Sequence, residues 1–320
     1  MTVQSRPGKS TSSDLMDFTI DHFTAPDSVQ LRIAIMTPPD TRGHVLILQG
    51  RGEFVERYRE TANDLARRGY GTVTFDFRGH GGSSRATPDP MMGYVRDVAH
   101  YGADTRHVID HVKHQHGITC DTVMTHSTGG LVAMVMLLDQ PDLWKSVVMI
   151  APFFGLGGPR WFSIAAQILS GSLCRYGFDK QYLPGQRNLS PLAEFDPENI
   201  LTSDPHRHDL NRTILQAAPD LVVGGTSAGW LDACFRAQSE TADRLAQPDM
   251  AQKLPPMTII LAGNDQVVSN RTTQDLLGHF PNVTIREIPE ARHEILQERD
   301  LYRDQFWAAF DRHMDLYGAR

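Results

Sequence analysis

The chain has 320 residues, of which 40% are hydrophobic and 22% are charged, and its formal net charge at pH 7 is −7. This composition is typical of a globular protein with a sizeable core, and the acidic balance, without a basic stripe, argues against nucleic acid as a partner. No stretch approaches the roughly 18–20 continuous apolar residues that span a bilayer. We therefore expect no transmembrane segment, although peripheral contact with lipid stays open.

The N-terminus and the cysteines indicate where the protein resides. Residues 1–13 are polar and lack the apolar core of a secretory signal, so we predict a disordered terminus. Cys120, Cys174 and Cys234 are odd in number and share no metal-ligand spacing. Free thiols of this kind are typical of a reducing compartment, and a cytoplasmic protein is expected.

Segments rich in β-branched residues alternate along the chain with segments whose apolar residues have helical spacing. The predicted strands are 18–23 and 30–36 (a hairpin), 44–49, 70–76, 121–126, 145–151, 256–262 and 283–288; the predicted helices are 53–68, 94–115, 129–138, 272–280 and 296–317. Strands that alternate with helices indicate an α/β fold, with a mostly parallel sheet covered by helices on both faces.

The alternation stops between residues 153 and 254, where aromatic residues, glycines and prolines are scattered. Insertions longer than about 15 residues inside a domain are usually lids or binding elements. We therefore predict a helical cap over 153–254 that contributes to substrate binding. The core of the domain is then formed by residues 14–152 and 255–320.

Two serines lie in or near the pattern G-x-S-x-G, which marks a sharp strand-to-helix turn that exposes a nucleophile in α/β-hydrolases. Ser227 lies in residues 225–229, which fit the pattern letter for letter, whereas Ser127 lies in residues 125–129, where Thr125 replaces the first glycine. Letters alone decide little, because a serine two residues before a glycine is expected about once by chance in a chain of this length.

The flanking sequence favours Ser127 as the nucleophile. It follows the β-branched segment 121–126 and precedes the helix 129–138, which is apolar on nearly every side and is therefore predicted to be buried. Ser227 follows only three apolar residues, and the helix after it carries several charged side chains. Only Ser127 has the strand, turn and helix that the motif requires.

A serine hydroxyl needs a base to remove its proton and an acid to orient that base, and in this fold the acid precedes the base along the chain. Asp265 follows the predicted strand 256–262, and His293 follows the strand 283–288, so these two are the predicted acid and base. Asp265 also suits a turn or a helix N-cap, a common use of aspartate.

Negative charge that develops on the substrate oxygen needs fixed hydrogen-bond donors. We predict an oxyanion hole formed by the backbone N–H groups of Thr128, which follows the nucleophile, and Arg51, which lies in the loop after the first parallel strand. The simpler interpretation of residues 50–52, Gly-Arg-Gly, is a tight turn.

The other histidines are assigned no catalytic role. His107, His111 and His114 share one helical face and would suit a metal, but a solvated face is the favoured interpretation because no acidic or cysteine ligand is evident beside them. His80 precedes Ser127 in the chain and is interpreted as loop structure beside the site. The sequence thus predicts no metal site.

Several of these segments together resemble the branch of the α/β-hydrolases that contains monoglyceride lipases and bacterial lysophospholipases. They are Gln49-Gly-Arg-Gly-Glu53 with Tyr58, Asp76-Phe-Arg-Gly-His-Gly81, the Ser127 turn, Leu261-Ala-Gly-Asn-Asp265 and Ala291-Arg-His-Glu-Ile-Leu296. The resemblance extends from about residue 18 onward and is weakest in 153–254. It implies a serine hydrolase that cleaves lysophospholipid or monoacylglycerol esters without a metal or an organic cofactor.

The chain departs from that family at two positions. Gln49 replaces the usual histidine before the oxyanion-loop glycine, and Thr125 replaces the usual first glycine of the turn. A small-molecule carboxylesterase or thioesterase is the alternative enzyme, and a ligand-binding protein of the same fold is the alternative from another class. For the Arg51 side chain, contact with a lipid phosphate is one hypothesis and a solvated loop arginine is the favoured one.

Overall fold

The computed structural model describes residues 16–187 and 191–318. Within them one eight-stranded sheet forms the centre of the molecule. Its strands are β1 (Thr19–Thr24), β2 (Gln30–Met36), β3 (His44–Leu48), β4 (Gly71–Phe75), β5 (Thr122–His126), β6 (Ser146–Ile150), β7 (Met257–Ala262) and β8 (Val283–Ile288). The predicted disorder of residues 1–13 concerns a segment outside the described residues.

The strands are ordered β1-β2-β4-β3-β5-β6-β7-β8 across the sheet. The hairpin of β1 and β2 is antiparallel and joins β4 antiparallel, whereas every pairing from β4 to β8 is parallel. Every residue of β4, β5, β6 and β7 is buried, because central parallel strands are covered on both faces. The predicted α/β fold with a mostly parallel sheet is confirmed.

Helices cover both faces of this sheet. They are α1 (Arg59–Arg67), α2 (Ala99–His116), α3 (Thr128–Asp139), α4 (Arg160–Arg175), α5 (Pro205–Ala217), α6 (Ala228–Leu245), α7 (Met250–Lys253), α8 (Asn270–Leu277) and α9 (Asp300–Tyr317). On one face α2, α3, α6 and α8 bury side chains in the larger core, and on the other α1 and α9 bury theirs in a second core.

Two predicted helices begin later than the sequence indicated. The helix predicted from residue 94 begins at Ala99, whose N–H donates to the Asp97 side chain, and the hydroxyl of Tyr94 donates to Asp179 in the region after β6. The helix predicted from residue 53 begins as a 3₁₀ turn at Val55–Tyr58 before it becomes α1. These loops place polar groups near the carboxyl ends of the strands.

The region 153–254 contributes α4 to α7, and none of its described residues belongs to a strand of the sheet. Its helix α6 packs against α3, and Trp230 and Cys234 of α6 are buried in the larger core. Helix α4 packs on α6 and exposes large apolar side chains. In the described part of the chain, no helix has the length and apolar character needed to cross a membrane.

Candidate active site

Ser127 lies on a strained turn between β5 and α3. Its φ of 49° and ψ of −113° are rare for a residue with a side chain, and such strain persists only where neighbouring contacts hold it. The N–H of Ser127 donates to the carbonyl of Ile150, and its carbonyl accepts from the N–H of Phe153, so β6 and the loop after it hold the turn. Ser127 is 7% exposed.

Two glycines after Ser127 permit a very close approach of backbone segments. A Cβ on Gly129 would lie 2.2 Å from the carbonyl oxygen of Leu48, and one on Gly130 would lie 2.7 Å from Cβ of Pro152. Thr125 takes the place of the usual glycine as a buried residue of β5, and its hydroxyl has no hydrogen-bond partner among the described residues. The turn therefore forms with threonine at this position.

Ser227, in the segment that fits the letter pattern, has a different conformation. Its φ of −81° and ψ of 154° are ordinary extended values, and its hydroxyl oxygen accepts from the N–H of Trp230, so it caps α6. The same hydroxyl donates to the carbonyl of Gly93 at 2.9 Å. Ser227 is fully buried, and its hydroxyl is occupied by these two bonds.

Asp265 and His293 meet beyond the carboxyl ends of β7 and β8. His293 Nδ1 lies 2.8 Å from Asp265 Oδ2, and both side chains are buried. The other carboxylate oxygen accepts from the N–H groups of Val267 and Val268 at 2.8 and 2.9 Å. One oxygen of Asp265 thus stabilises a turn, as the alternative interpretation expected, while the other contacts the histidine.

The pairing of Asp265 with His293 determines the charge of the carboxylate and the tautomer of the imidazole ring. Burial acts to raise the pKa of Asp265, but the His293 ring and the two backbone N–H donors lower it, and the net shift is downward. An ionised Asp265 facing Nδ1 requires the hydrogen on that nitrogen. Neutral His293 therefore has its lone pair on Nε2, the nitrogen that a general base uses.

A second buried histidine joins the Ser127 turn to the loop of His293. The ring of His126, the residue before Ser127, lies 4.9 Å from the ring of His293, and its Nε2 lies 3.2 Å from the His293 carbonyl oxygen. Its Nδ1 lies 2.9 Å from Glu53 Oε1. Oxygen Oε2 of Glu53 accepts from Gly50 N–H and from the hydroxyl of Tyr58. These bonds join the end of β5, the loop of His293 and the loop after β3.

Both nitrogens of His126 face oxygen acceptors, an arrangement that favours the doubly protonated ring. Burial acts to lower the pKa of His126, but the Glu53 carboxylate outweighs it and raises that pKa. Burial likewise opposes ionisation of Glu53, whose pKa the His126 ring holds below its usual range. The sequence contains both residues in quoted motifs, but nothing in it indicated that they pair.

The loop after β3 approaches this group. Gly50 lies so close to His126 that a Cβ on it would be 2.8 Å from Nδ1. Gln49, which replaces the usual histidine, is buried and donates from Nε2 to the hydroxyl of Thr74 at 3.1 Å. The backbone of Thr128 begins α3, so its N–H has no partner within the helix.

The Arg51 side chain joins this loop to the region before α6. Its Nη2 donates to the carbonyls of Gly224, at 2.6 Å, and Gly225, and its guanidinium lies 5.3 Å from the centre of a Trp230 ring. Burial lowers the pKa of Arg51 to about 10. The side chain is half-buried and bound to protein carbonyls, so the solvated loop arginine that the sequence favoured is wrong.

His80 also lies beside this loop. Its ring is buried, Nδ1 lies 3.1 Å from the carbonyl of Arg78, and burial together with the charge of Arg51 lowers its pKa to about 3. A neutral, buried ring of this kind fits the structural role that the sequence indicated.

Most of the chain matches a known protein family. Residues 39–300 match the serine aminopeptidase S33 family. The chain belongs to this family. The match contains Ser127, Asp265 and His293 and begins after β1 and β2. Together with the similar proteins described next, this membership confirms the predicted class, an α/β-hydrolase that hydrolyses esters.

Three proteins are similar to this chain over most of its length. A probable lysophospholipase L2 of Haemophilus influenzae is 25% identical over 289 residues, 89% of this chain and 88% of that protein. Lysophospholipase L2 of Escherichia coli K12 is 27% identical over 311 residues, 93% of this chain and 89% of that protein. A soluble variant of monoglyceride lipase from Saccharomyces cerevisiae, solved with a substrate analogue, has a TM-score of 0.76 and 18% identity and covers 97% of this chain and 99% of its own. The last of these shows the shared fold.

Proposed function

We propose that the chain hydrolyses the carboxylic ester of single-chain lipids, lysophospholipids or monoacylglycerols, with Ser127 as the nucleophile. The observation that carries the proposal is the buried Asp265–His293 pair, whose loop contacts the residue before a serine on a strained turn. The named activities of the lysophospholipase relatives support the choice of substrate.

In the proposed reaction His293 Nε2 takes the proton of Ser127 as its oxygen attacks the acyl carbonyl. The imidazolium that forms donates through Nδ1 to ionised Asp265 and gives its other proton to the leaving alcohol. Water then attacks the acyl-enzyme, loses a proton to His293, and releases the fatty acid and the free serine. No step needs a metal or an organic cofactor.

The proposed oxyanion hole consists of the N–H groups of Thr128 and Arg51. Thr128 begins α3, whose N-terminal end carries partial positive charge that favours an anion. The bond between Gly50 N–H and Glu53, and those of Arg51 to Gly224 and Gly225, hold the loop in place before substrate arrives. Such preorganised donors stabilise developing charge at no cost of reorganisation during the reaction.

We further propose that the region 153–254 acts as the cap that receives the acyl chain. Its helix α4 exposes apolar side chains on one face, among them Trp161, which is 69% exposed, and Ile168, which is 64% exposed. Exposed apolar side chains of this kind are typical of surfaces that contact lipid. Helix α6, buried against α3, would anchor the cap on the core. A cytoplasmic location remains part of the proposal and is supported by the three free cysteines.

Turnover of a graded set of esters tests the proposed substrate. We expect fatty acid release from lysophosphatidylcholine and monoacylglycerol, and faster cleavage of nitrophenyl palmitate than of the butyrate. The variant pair Trp161→Ser and Ile168→Ser should lower palmitate cleavage and spare butyrate, whereas Leu316→Ser, an equally exposed apolar residue on α9, should leave both unchanged. A preference for butyrate would favour a small-molecule esterase, and binding without turnover would favour a ligand-binding protein.

A further inference from the structure

Three potential metal ligands meet at the edge of the sheet, away from the proposed catalytic residues. Asp21 lies on β1, and His111 and His116 lie near the end of α2. The Nε2 atoms of both histidines lie 2.8 Å from the same atom, Asp21 Oδ2. All three ligand atoms lie within 4.8 Å of one another.

The surroundings orient these ligands. The other oxygen of Asp21 accepts from the N–H of His22 at 2.7 Å, which turns Oδ2 toward the two rings. The ring of Phe23 packs 5.1 Å from the ring of His111 and restricts its rotation. Hydrogen bonds to metal ligands commonly set their orientation in this way.

The charge at this position favours a cation. The carboxylate of Asp21 accepts hydrogen bonds from both rings and from the His22 N–H, so it presents anionic oxygens at the point where the three side chains meet. His116 is the last residue of α2, where the helix dipole presents its negative end. The side chain of His111 is 14% exposed, that of Asp21 28% and that of His116 33%, so an ion from solvent can reach them.

The cluster is separate from the proposed catalytic residues. Three strands separate β1 from β5 in the sheet, and four steps of the usual strand spacing amount to about 19 Å. Moreover, α2 ends where the parallel strands begin, whereas Ser127 follows the carboxyl end of β5. Asp21 also precedes the residues that match the family.

We propose that Asp21, His111 and His116 form a zinc site that fastens β1 to the end of α2. Two imidazole nitrogens and one carboxylate oxygen are a common ligand set for Zn²⁺, with water as the fourth ligand. Tetrahedral Zn²⁺ would separate its ligand atoms by about 3.3 Å, so the rings and the carboxylate would move apart by about half an ångström from their hydrogen-bonded positions. Each Nε2 would give up its hydrogen to the ion: an imidazolium ring releases that proton to solvent, and a neutral ring exchanges it through solvent for one on Nδ1.

Equilibrium dialysis of the untagged full chain against ZnCl₂ tests this site. Wild type should bind one tight Zn²⁺ per chain, and Asp21→Asn and His116→Gln should each weaken that binding by at least about tenfold. His114→Gln, an exposed histidine on the same helix, is the matched control and should bind as wild type does. Cobalt should give the visible absorption of a tetrahedral site in wild type and His114→Gln only.

Thermal unfolding provides a second readout, because a ligand that binds only the folded state raises the Tm. Zinc should raise the Tm of wild type and His114→Gln and not that of Asp21→Asn, while ester hydrolysis by zinc-free Asp21→Asn stays unchanged and shows that the variant folds. Equal zinc binding by wild type, Asp21→Asn and His116→Gln would overturn the proposal, as would the absence of any stoichiometric zinc in wild type. In that event the three residues form a hydrogen-bonded cluster only.

Discussion

The segments around Ser127 and Ser227 each have a serine two residues before a glycine, but their backbone conformations differ. Ser127 has a φ of 49° on a turn between a strand and a helix, and Ser227 has an extended φ of −81° at the start of a helix. The hydroxyl of Ser227 is occupied by Trp230 and Gly93, whereas the residue before Ser127 contacts the loop of His293. Backbone conformation and tertiary neighbours, more than sequence letters, therefore separate a nucleophile from a helix cap.

The largest expected effect separates the two serines by activity. Ser127→Ala should lower kcat by about 10⁴–10⁶-fold, because the covalent step is lost and only binding and oxyanion stabilisation remain. Ser227→Ala should retain kcat within a few-fold, since its hydroxyl caps α6 and donates to Gly93 and takes no part in the proposed reaction. Steady-state kinetics with one ester measures both, and a comparable loss in the two variants would remove the distinction.

The next effect tests the acid assigned to the Ser127 site. Asp265→Asn should lower kcat by about 10³–10⁴-fold, because an amide no longer stabilises the imidazolium and favours the wrong tautomer of His293. KM should change little. A matched control is Asp275→Asn, an exposed aspartate on α8, which should behave as wild type. If Asp265→Asn kept its activity, the role proposed for the pair would be wrong.

A smaller effect concerns stability at Ser227. Ser227→Ala should reduce the free energy of unfolding by about 1–2 kcal/mol, since it removes an N-cap and a buried hydrogen bond. Ser269→Ala removes the N-cap of the half-buried helix α8 and should cost less, because the Ser269 cap lies nearer to solvent. Urea unfolding of both variants decides this; an unchanged midpoint for Ser227→Ala would contradict a capping role.

The smallest expected effect is a difference between two variants in how their loss of stability depends on pH. The pKa of Asp265 is lower when folded than the value near 4 of an unfolded aspartate, so in the window between them the unfolded chain binds more protons. The stability from this carboxylate is therefore present above about pH 4 and is lost as pH falls through the folded pKa. The difference in the free energy of unfolding between wild type and Asp265→Asn should decrease as the pH is lowered. The corresponding difference between wild type and Ser227→Ala should stay constant. Urea unfolding over this pH range measures both.

Much of the fold could be predicted because parallel strands buried on both faces leave continuous apolar segments in the sequence. The order of Ser127, Asp265 and His293 along the chain likewise follows from the positions of the strand ends. The pairing of His126 with Glu53 could not be predicted, because it joins residues 73 positions apart through side chains alone. The same holds for Asp21, which lies 90 and 95 positions from the two histidines it contacts.

The region 153–254 shows another limit of sequence patterns. In the sequence, the charged residues of α6, such as Asp232, Arg236 and Glu240, weighed against Ser227 as the nucleophile. The structure buries the opposite face of that helix, with Trp230 and Cys234, against α3. One helix can carry a charged face and a core face, and only the tertiary contact identifies which of the two packs.

The most direct test of the central claim is the identification of the serine that reacts with a fluorophosphonate probe. Peptide mapping by mass spectrometry after labelling of the full chain locates the modified residue. We expect a single adduct on Ser127, which is absent in Ser127→Ala and retained in Ser227→Ala. An adduct on Ser227, or no adduct on a folded chain, would contradict it.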